Sequence, residues 1–310
     1  MTVVIAGSSG MVGSALVSEF TQAGHNVVGI NRSVVDLSDP SATTDFLLQI
    51  KPKLVIDAAA RVGGIRANNN FPVEFLSENL RIQSNLMAAA HQANVERFIF
   101  LGSSCIYPRD CPQPIKEEYL MTGPLEATNS AYAVAKIAGI ELINSYRKEF
   151  GAKWISLMPT NLYGPNDNFS LNDSHVLPAF IRRFVEASEE GFDSVTLWGS
   201  GTPRREFLHV QDLAKAVLVA AKDYDSSQHL NIGSGQDLTI ADLAARVASA
   251  TGFAGEILWD ASKPDGTRRK ILDVSRIQAL GWSPTITLDE GITATVAWYK
   301  GASVKGDVRK

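Results

Sequence analysis

The sequence contains, near its start, an apolar run followed at once by spaced glycines: Val3-Val4-Ile5-Ala6-Gly7-Ser8-Ser9-Gly10-Met11-Val12-Gly13. The apolar run predicts a buried strand, and the periodic apolar residues after it predict a helix. Gly7 suits the tight turn, Gly10 lets the backbone approach a pyrophosphate, and Gly13 lets helix and strand pack closely. The N-terminus of the helix offers N–H groups to the anion. The stretch is therefore typical of a dinucleotide-binding turn, although a merely structural glycine turn would show the same spacing.

The same alternation of strands and helices continues outward from this turn. Strands are predicted at Val3–Ala6, Val27–Ile30, Leu54–Ala58, Phe98–Gly102 and Trp154–Met158, and helices at Met11–Ala23, Ala42–Ile50, Phe75–Ala93 and Ala131–Phe150. Short buried strands that alternate with helices indicate a parallel sheet covered on both faces. We therefore predict an α/β protein with a Rossmann-type, doubly wound parallel sheet.

The pattern loosens after Pro159. We expect a loop at 161–173, helices at 176–190, 210–222, 239–251 and about 288–300, strands at 195–198 and 256–259, a polar loop at 260–270, and a frayed tail at 301–310. These elements suggest a smaller α+β substrate domain beside the sheet. We expect the Rossmann domain to cover 1–165 plus about 205–234, and the substrate domain to cover about 166–204 and 235–310.

Composition argues against several functional classes. The net charge is −4, so no basic excess indicates nucleic acid or an anionic membrane surface. No apolar window approaches membrane-spanning length and no export signal is recognisable, so we expect a cytoplasmic location. The two cysteines and five scattered histidines show no disulfide framework and no metal-ligand spacing, so we expect neither.

The second predicted strand ends at Gly29-Ile30-Asn31-Arg32. In a dinucleotide-binding fold this position contacts the adenosine end of the cofactor. An acidic residue there would bind the ribose hydroxyls of NAD, whereas an arginine suits the extra phosphate of NADP. Arg32 is therefore the candidate phosphate clamp, with Asp36 and Leu37 beside the adenine. An arginine on a solvated strand end is the plainer alternative.

Tyr132 and Lys136 lie four residues apart and so share one face of a predicted helix. A neighbouring ammonium favours the phenolate, so we expect the lysine to lower the pKa of Tyr132 from its ordinary value of about 10. The phenol can then serve a carbonyl reduction as proton donor. Ser103, at the end of the fourth predicted strand, can polarise the same carbonyl. By itself the Tyr–Lys spacing is common, and Ser103 could simply cap a strand. In a chain that also has a dinucleotide-binding turn, the three residues together are a far more specific sign of a reductase site.

Longer runs match a known family in order, from Val4 to about Trp298. They are 6–15, 62–65, 67–69, 101–108, 132–139, 158–165, 198–203, 205–210 and 262–267. On these runs the chain resembles the extended short-chain dehydrogenases/reductases and, within them, the GDP-L-fucose synthases. The resemblance implies an NADPH-dependent epimerase-reductase that takes GDP-4-keto-6-deoxy-D-mannose to GDP-L-fucose by epimerisation at carbons 3 and 5 and reduction at carbon 4.

The resemblance also implies roles for particular residues. Cys105 matches the proposed base and His175 the proposed acid of the epimerisation, and both have ordinary pKa values close to neutrality. Without the resemblance, the simpler interpretation is that Cys105 is a small buried apolar residue and that His175 caps a helix. Substrate contacts are implied at Arg183, Trp198, Arg205, Asp265 and Lys270. Cofactor contacts are implied at Gly7, Ser8, Ser9, Gly10, Met11, Val12, Gly13, Arg32, Asp36, Leu37, Leu101, Gly102, Ser103, Ser104, Tyr132, Lys136, Pro159, Thr160, Asn161, Leu162 and His175.

One departure and several alternatives stay open. Many family members carry a basic residue between the first two loop glycines, where this chain has Ser8-Ser9, which weakens the NADP preference. A GDP-L-colitose-type 5-epimerase/4-reductase would share the same residues. A 4,6-dehydratase would place an Asp-Glu pair at Ser104-Cys105, and a 4-epimerase would not need Cys105 and His175. A non-enzymatic NADP-binding sensor or scaffold is a further alternative on the same fold. We expect a homodimer joined through the helices at 75–93 and 131–150.

Overall fold

The computed structural model describes residues 1–170, 173–263 and 265–308. Its main sheet consists of six strands. These are β1 (Thr2–Ala6), β2 (Asn26–Ile30), β3 (Leu54–Asp57), β4 (Arg97–Leu101), β5 (Ile155–Pro159) and β9 (Leu230–Ile232). They lie in the order β2-β1-β3-β4-β5-β9, and every neighbouring pair is parallel. The predicted Rossmann-type sheet is confirmed, and the five predicted strands differ from the observed ones by one residue at their ends.

Helices cover the sheet, which explains why its strands are mostly apolar. They are α1 (Met11–Gln22), α2 (Pro40–Ile50), α4 (Pro72–Gln92), α5 (Ser130–Phe150) and α7 (Val210–Asp223), with the short α3 (Ile65–Asn70) before α4. Helices α2, α4 and α5 pack side by side, while α1 packs against α7. Because β2 and β3 lie on opposite sides of β1, the chain reverses its winding there. This reversal opens a crevice at the carboxyl ends of β1 and β3, where ligands bind in such folds.

The remaining elements form a second, smaller core. Strands β6 (Asn161–Tyr163), β8 (Arg204–His209), β10 (Asp237–Thr239) and β12 (Arg269–Lys270) form one sheet, and β7 (Ser194–Trp198) pairs with β11 (Glu256–Asp260). Helices α6 (Val176–Glu190), α8 (Ile240–Thr251) and α10 (Leu288–Lys305) complete it, whereas the short α9 (Ser275–Ala279) packs against β9 of the main sheet. Phe169, Phe184 and Tyr299 belong to a hydrophobic cluster separate from that of the main sheet. The domain boundaries proposed from the sequence stay a prediction, because Leu272, Ile277 and Trp282 belong to the cluster of the main sheet.

Some expectations for this second half were wrong. The tail expected to fray at 301–310 is helical as far as Lys305, because Tyr299 and Ala302 bury the inner face of α10. The expected loops at 161–173 and 260–270 contain β6 and β12. Strands β8, β9 and β10 were not predicted. Strands β9 and β10 have only three residues each, too short to show alternation, and β8 is buried along its last four residues and so does not alternate. Residues 171, 172, 264, 309 and 310, which fall in the expected loops, the matched run 262–267 and the expected tail, lie outside the described residues.

Within the described ranges, no helix is long and apolar enough to cross a membrane.

Two helical glycines allow a test of how tightly α5 packs on the sheet. A Cβ added at Gly139 of α5 would collide with the ring of Phe100 on β4, whereas one at Gly301 of α10 would meet open space. Alanine raises helix propensity at both positions. We expect G139A to cost about 1–3 kcal/mol of unfolding free energy through overpacking and G301A to add about 0.5–1 kcal/mol. Urea unfolding of both variants measures this, and equal effects would contradict the packing described here.

Candidate active site

The glycine turn lies between β1 and α1 as predicted. Gly7 has a φ of +77° and approaches Ala58 so closely that a Cβ would lie 2.7 Å from that residue's carbonyl oxygen. A Cβ at Gly13 would collide with the carbonyl group of Gly7, so both glycines are required for this close packing. Gly10 is the N-cap residue of α1, and no side-chain capping hydrogen bond is present there within the described part of the chain. The first N–H groups of a helix have no acceptor within the helix, so those of α1, from Met11 to Gly13, are available to bind an anion.

The serines of the turn differ in their surroundings. The Ser8 N–H and Oγ both donate to the Ile30 carbonyl oxygen, at 2.9 and 3.1 Å, and so join the turn to the end of β2. Ser9 is exposed. Serine at these positions leaves the turn without a cationic side chain.

The expected adenosine site lies at the end of β2. The Arg32 side chain is 85% exposed and lies 3.7 Å from Glu78 of α4. Leu37 is buried, and its carbonyl oxygen accepts a hydrogen bond of 3.0 Å from Asn85 of α4. Asp36 Oδ1 accepts from the Ser38 N–H and shapes the same loop. A glycine cradle, free helix N–H groups and an extended arginine fit a phosphorylated dinucleotide.

The Tyr–Lys pair is held at the end of β4. The buried Lys136 donates from Nζ to the Leu101 carbonyl oxygen at 2.9 Å. Its ammonium lies 5.9 Å from the centre of the Tyr132 ring. Ser103 forms a side-chain hydrogen bond with Tyr132 and also accepts from the Cys105 N–H at 3.2 Å. The structure thus brings together the serine, tyrosine and lysine that the sequence predicts.

The pKa of Tyr132 corrects one expectation. Burial raises it above the ordinary value, the nearby Cys105 and Asp57 add to this, and the Ser103 hydrogen bond opposes it. Burial lowers the pKa of Lys136 to about 8, with Asp57 acting in the opposite direction. Burial therefore dominates the pKa of Tyr132, and the expected lowering is wrong. The phenol is protonated at neutral pH, which is the form a proton donor needs.

Cys105 lies in the short 3-10 turn Ser104–Ile106 that follows β4. Its Sγ accepts from Asn129 Nδ2 at 3.4 Å and from Lys270 Nζ at 3.7 Å. Two side-chain donors on different segments therefore hold the sulfur in place. Lys270, which the sequence analysis names as a substrate contact, therefore also contacts the proposed base directly.

His175 lies at the start of α6, next to residues that contact the loop after β3. It is the N-cap residue of α6, and the preceding Asp173 accepts a 2.8 Å hydrogen bond from the Gly64 N–H, in the loop after β3. The imidazole is exposed, yet the surrounding protein removes enough solvent to lower its pKa. A lowered pKa makes the protonated imidazole a stronger acid.

A small polar cavity opens in front of the Cys105 sulfur. Its walls include Gln113, Glu126, Asn129, Arg269 and Lys270. A larger open cleft between α8 and α10 is lined by Arg246 and Asp289, but it contains none of the predicted site residues. We therefore place the candidate active site at the smaller cavity.

The predicted substrate contacts fall into two neighbouring groups. Arg205 and Lys270 are register partners on β8 and β12, and burial lowers the pKa of Arg205 while Cys105, Glu126 and Asp265 oppose this. Arg183 of α6 donates to the carbonyl oxygen of Thr196, in the middle of β7, at 3.1 Å.

The end of β7 is shaped by a short turn. The Asp265 carboxylate accepts from the Ser200 N–H at 2.7 Å and from the Ser200 Oγ at 2.8 Å. Asp265 therefore fixes this turn in addition to any ligand contact. Trp198, at the base of the turn, is 53% exposed and offers a ring face for stacking.

The segment from Pro159 to Leu162 connects the two sheets. The Thr160 N–H donates to Ile232 of β9 at 2.9 Å, and the Asn161 side chain donates to the Glu206 carbonyl oxygen at 2.8 Å. These bonds fix the floor of the crevice between the main sheet and the substrate-side strands.

Sequence reasoning missed two residues at this site. Asn129, which contacts Cys105, has no sequence signal because it merely precedes α5. Asp57 ends β3 and is fully buried; Oδ1 accepts from the Ala59 N–H at 3.1 Å, and Oδ2 has no hydrogen-bond partner among the described residues. An acid inside the apolar run Leu54–Ala58 was the signal available, because buried acids are rare unless they serve a purpose.

No cluster of three metal-ligating side chains occurs in the described part of the chain.

The nucleotide-binding crevice and the Ser–Tyr–Lys set together define an extended short-chain dehydrogenase/reductase. The chain belongs to the NAD dependent epimerase/dehydratase family, whose family model matches residues 3–233. It is 49% identical over 298 residues to GDP-L-fucose synthase 1 of Arabidopsis thaliana, with 96% of this chain and 92% of that protein covered. It is 38% identical over 303 residues to the GDP-L-colitose synthase of Yersinia pseudotuberculosis, with 96% and 98% covered.

A solved structure agrees with this grouping. The crystal structure of a GDP-L-fucose synthetase from Naegleria fowleri bound to NADP has a TM-score of 0.92 at 27% identity, covering 100% of this chain and 96% of that one. The resemblance to the GDP-L-fucose synthases stated from the sequence is thereby confirmed.

Asp57 generates a prediction for the pH dependence of stability. Burial raises its pKa from 3.8 to about 6, with Lys136 opposing. Between these values the folded protein keeps a proton that the unfolded chain releases, so this group destabilises the ionised protein at pH 7 and the loss disappears as pH falls toward 4. We expect D57N to be about 1–3 kcal/mol more stable than the parent at pH 7, with the difference shrinking at pH 4.

Urea unfolding of the ligand-free protein at both pH values provides the measurement. S156A is the matched control, because Ser156 is a buried polar residue on β5 of the same sheet that does not titrate. A D57N difference that is unchanged between pH 7 and pH 4 would refute the assigned pKa.

Proposed function

We propose that this chain is an NADPH-dependent epimerase-reductase that converts GDP-4-keto-6-deoxy-D-mannose to GDP-L-fucose. One observation carries the proposal: the turn after β4 presents the Ser103 hydroxyl to Tyr132 and the Cys105 sulfur to Lys270. A reductase set and a candidate carbon-acid base therefore open onto the same crevice. The names of the relatives at about half identity agree with this combination.

Epimerisation needs a base and an acid on opposite sides of the sugar. A 4-keto group acidifies the hydrogens at carbons 3 and 5, so a group such as Cys105 can remove them. Lys270 and Asn129 donate hydrogen bonds to the sulfur and so hold it in position to accept the proton. His175 approaches from α6, and as a protonated imidazole of lowered pKa it returns a proton to the other face.

Reduction follows at carbon 4. NADPH, when bound, supplies the hydride. The Tyr132 phenol donates its proton to the sugar oxygen, and Ser103 holds that oxygen by a hydrogen bond. Lys136 stabilises the phenolate that remains, since its ammonium lies beside the ring. The glycine turn, the N-terminus of α1 and Arg32 would hold the cofactor, with the pyrophosphate at the helix and the extra phosphate at the arginine.

The GDP portion fits the substrate-side residues. Arg183 and Arg205 suit a diphosphate, because a guanidinium can bind phosphate oxygens bidentately. Trp198 offers an exposed ring near the turn fixed by Asp265. These contacts would leave the sugar in front of Cys105.

The decisive experiment mixes the purified protein with GDP-4-keto-6-deoxy-D-mannose and NADPH in deuterated water. We expect NADPH oxidation together with deuterium at both carbons 3 and 5, observed by NMR of the product. Deuterium at carbon 5 alone would favour the colitose-type reaction. Oxidation without deuterium would refute the roles of Cys105 and His175, and NADPH binding without oxidation would favour a sensor.

Three variants separate the two half-reactions. We expect C105S to lose deuterium incorporation by about 100-fold or more, since a hydroxyl is a far weaker base than a thiolate. C111S is the matched thiol control and should retain both reactions. Y132F should lose NADPH oxidation by about 100-fold yet still exchange deuterium. Parallel loss of both reactions in C105S and C111S would point to a fold defect instead.

We propose a homodimer joined through α4 and α5, in the cytoplasm. Val73 of α4 and Val134 of α5 are exposed apolar residues on these packed helices, and the two cysteines are free. Light scattering should give twice the chain mass of 33.5 kDa. V134E should yield monomer, because a charge cannot be buried unpaired in an interface, while V304E on exposed α10 should remain a dimer. A wild-type monomer at micromolar concentration would refute this proposal.

A further inference from the structure

Three elements place charged side chains together at the adenosine end of the crevice. Glu78 of α4 lies with Oε2 3.7 Å from Arg32 at the end of β2 and with Oε1 3.2 Å from Arg61 in the loop after β3. One carboxylate thus bridges two guanidinium groups that come from opposite sides of β1. Arg61 also forms an ion pair with Glu74, one turn earlier on α4.

Arg61 is held more firmly than Arg32. Its backbone N–H donates to the Asn79 side chain at 2.9 Å, and that side chain donates back to the Arg61 carbonyl oxygen at 3.0 Å. The guanidinium also lies 5.5 Å from the ring centre of Phe75. Arg61 is therefore a fixed cation, whereas Arg32 extends into solvent.

A phosphate monoester and a carboxylate place similar demands on two guanidinium groups. Both present paired oxygens that accept bidentate hydrogen bonds from arginine. The phosphate-binding turn itself contributes only Ser8 and Ser9, and the Ser8 hydroxyl is already bonded to Ile30. Cationic contacts to a ribose phosphate must therefore come from elsewhere at this edge.

We infer that Glu78 determines cofactor specificity by holding, between Arg32 and Arg61, the place that the 2′-phosphate of NADP takes. Arg61 is then a second phosphate-binding cation, and Glu78 weakens NADP binding by competing for both arginines. The inference depends on the proposed function only in using the dinucleotide site. If Glu78 instead accepted hydrogen bonds from the ribose hydroxyls of NAD, it would strengthen NAD binding, and its removal would weaken that binding.

Direct binding to the full-length protein distinguishes these cases. NADPH and NADH are titrated separately and followed by nicotinamide fluorescence, without any GDP-sugar. We expect E78Q to tighten NADPH binding by about 3- to 5-fold, the range of an exposed ion pair, and to change NADH binding less than about 2-fold. R61Q should weaken NADPH binding selectively. These NADPH effects should shrink in high salt, because salt screens the charges of a partly exposed cluster.

E74Q is the matched control. Glu74 also pairs with Arg61 but has no contact with Arg32 among the ion pairs of the described residues, so its substitution should tighten NADPH binding less than E78Q does. The inference is overturned if E78Q leaves NADPH binding unchanged, or weakens NADH binding as an acceptor of ribose hydroxyls would. Because no turnover is needed, failure here is distinct from failure of the proposed reaction.

Discussion

The hydrogen bond from Lys136 Nζ to the Leu101 carbonyl oxygen, 2.9 Å long, connects α5 to the end of β4 inside the protein. Because an ammonium is costly to bury without partners, this bond and the Phe100 ring beneath the ammonium fix where α5 can lie. The same packing positions Tyr132 one turn earlier on α5, next to Ser103. Gly139 permits the approach by leaving room for Phe100. The reductase geometry is therefore a consequence of how one helix seats on one strand.

Burial sets the chemistry of this site more strongly than pairwise charge does. Desolvation raises the pKa of Tyr132 and of Asp57 and lowers that of Lys136, although the opposite charges of Asp57 and Lys136 act against the last two shifts. The result is a neutral phenol ready to donate a proton, with a cation beside it that can stabilise the phenolate product. The Cys105 sulfur lies nearer to the solvent-side cavity, where Asn129 and Lys270 supply donors.

The second half of the chain completes the site through a buried carboxylate. Glu206 of β8 accepts from the Gly235 N–H at 2.6 Å and from the Leu272 N–H at 3.0 Å. These bonds hold distant segments against β8, so that Lys270 of β12 lies beside Arg205 and reaches Cys105. An anionic substrate would meet its cations at this junction between the two cores.

The sequence by itself determined the alternation of strands and helices, the glycine turn, and the pairing of Tyr132 with Lys136, because each depends on residues close together along the chain. Runs matching a known family further indicated Cys105, His175 and the substrate-side arginines, though not their surroundings. Tertiary structure alone decided that Lys270 contacts Cys105, that Glu78 bridges Arg32 and Arg61, and that burial reverses the expected shift of the Tyr132 pKa. Local periodicity records which face of an element is apolar, whereas desolvation and contacts between distant segments exist only once the chain is folded.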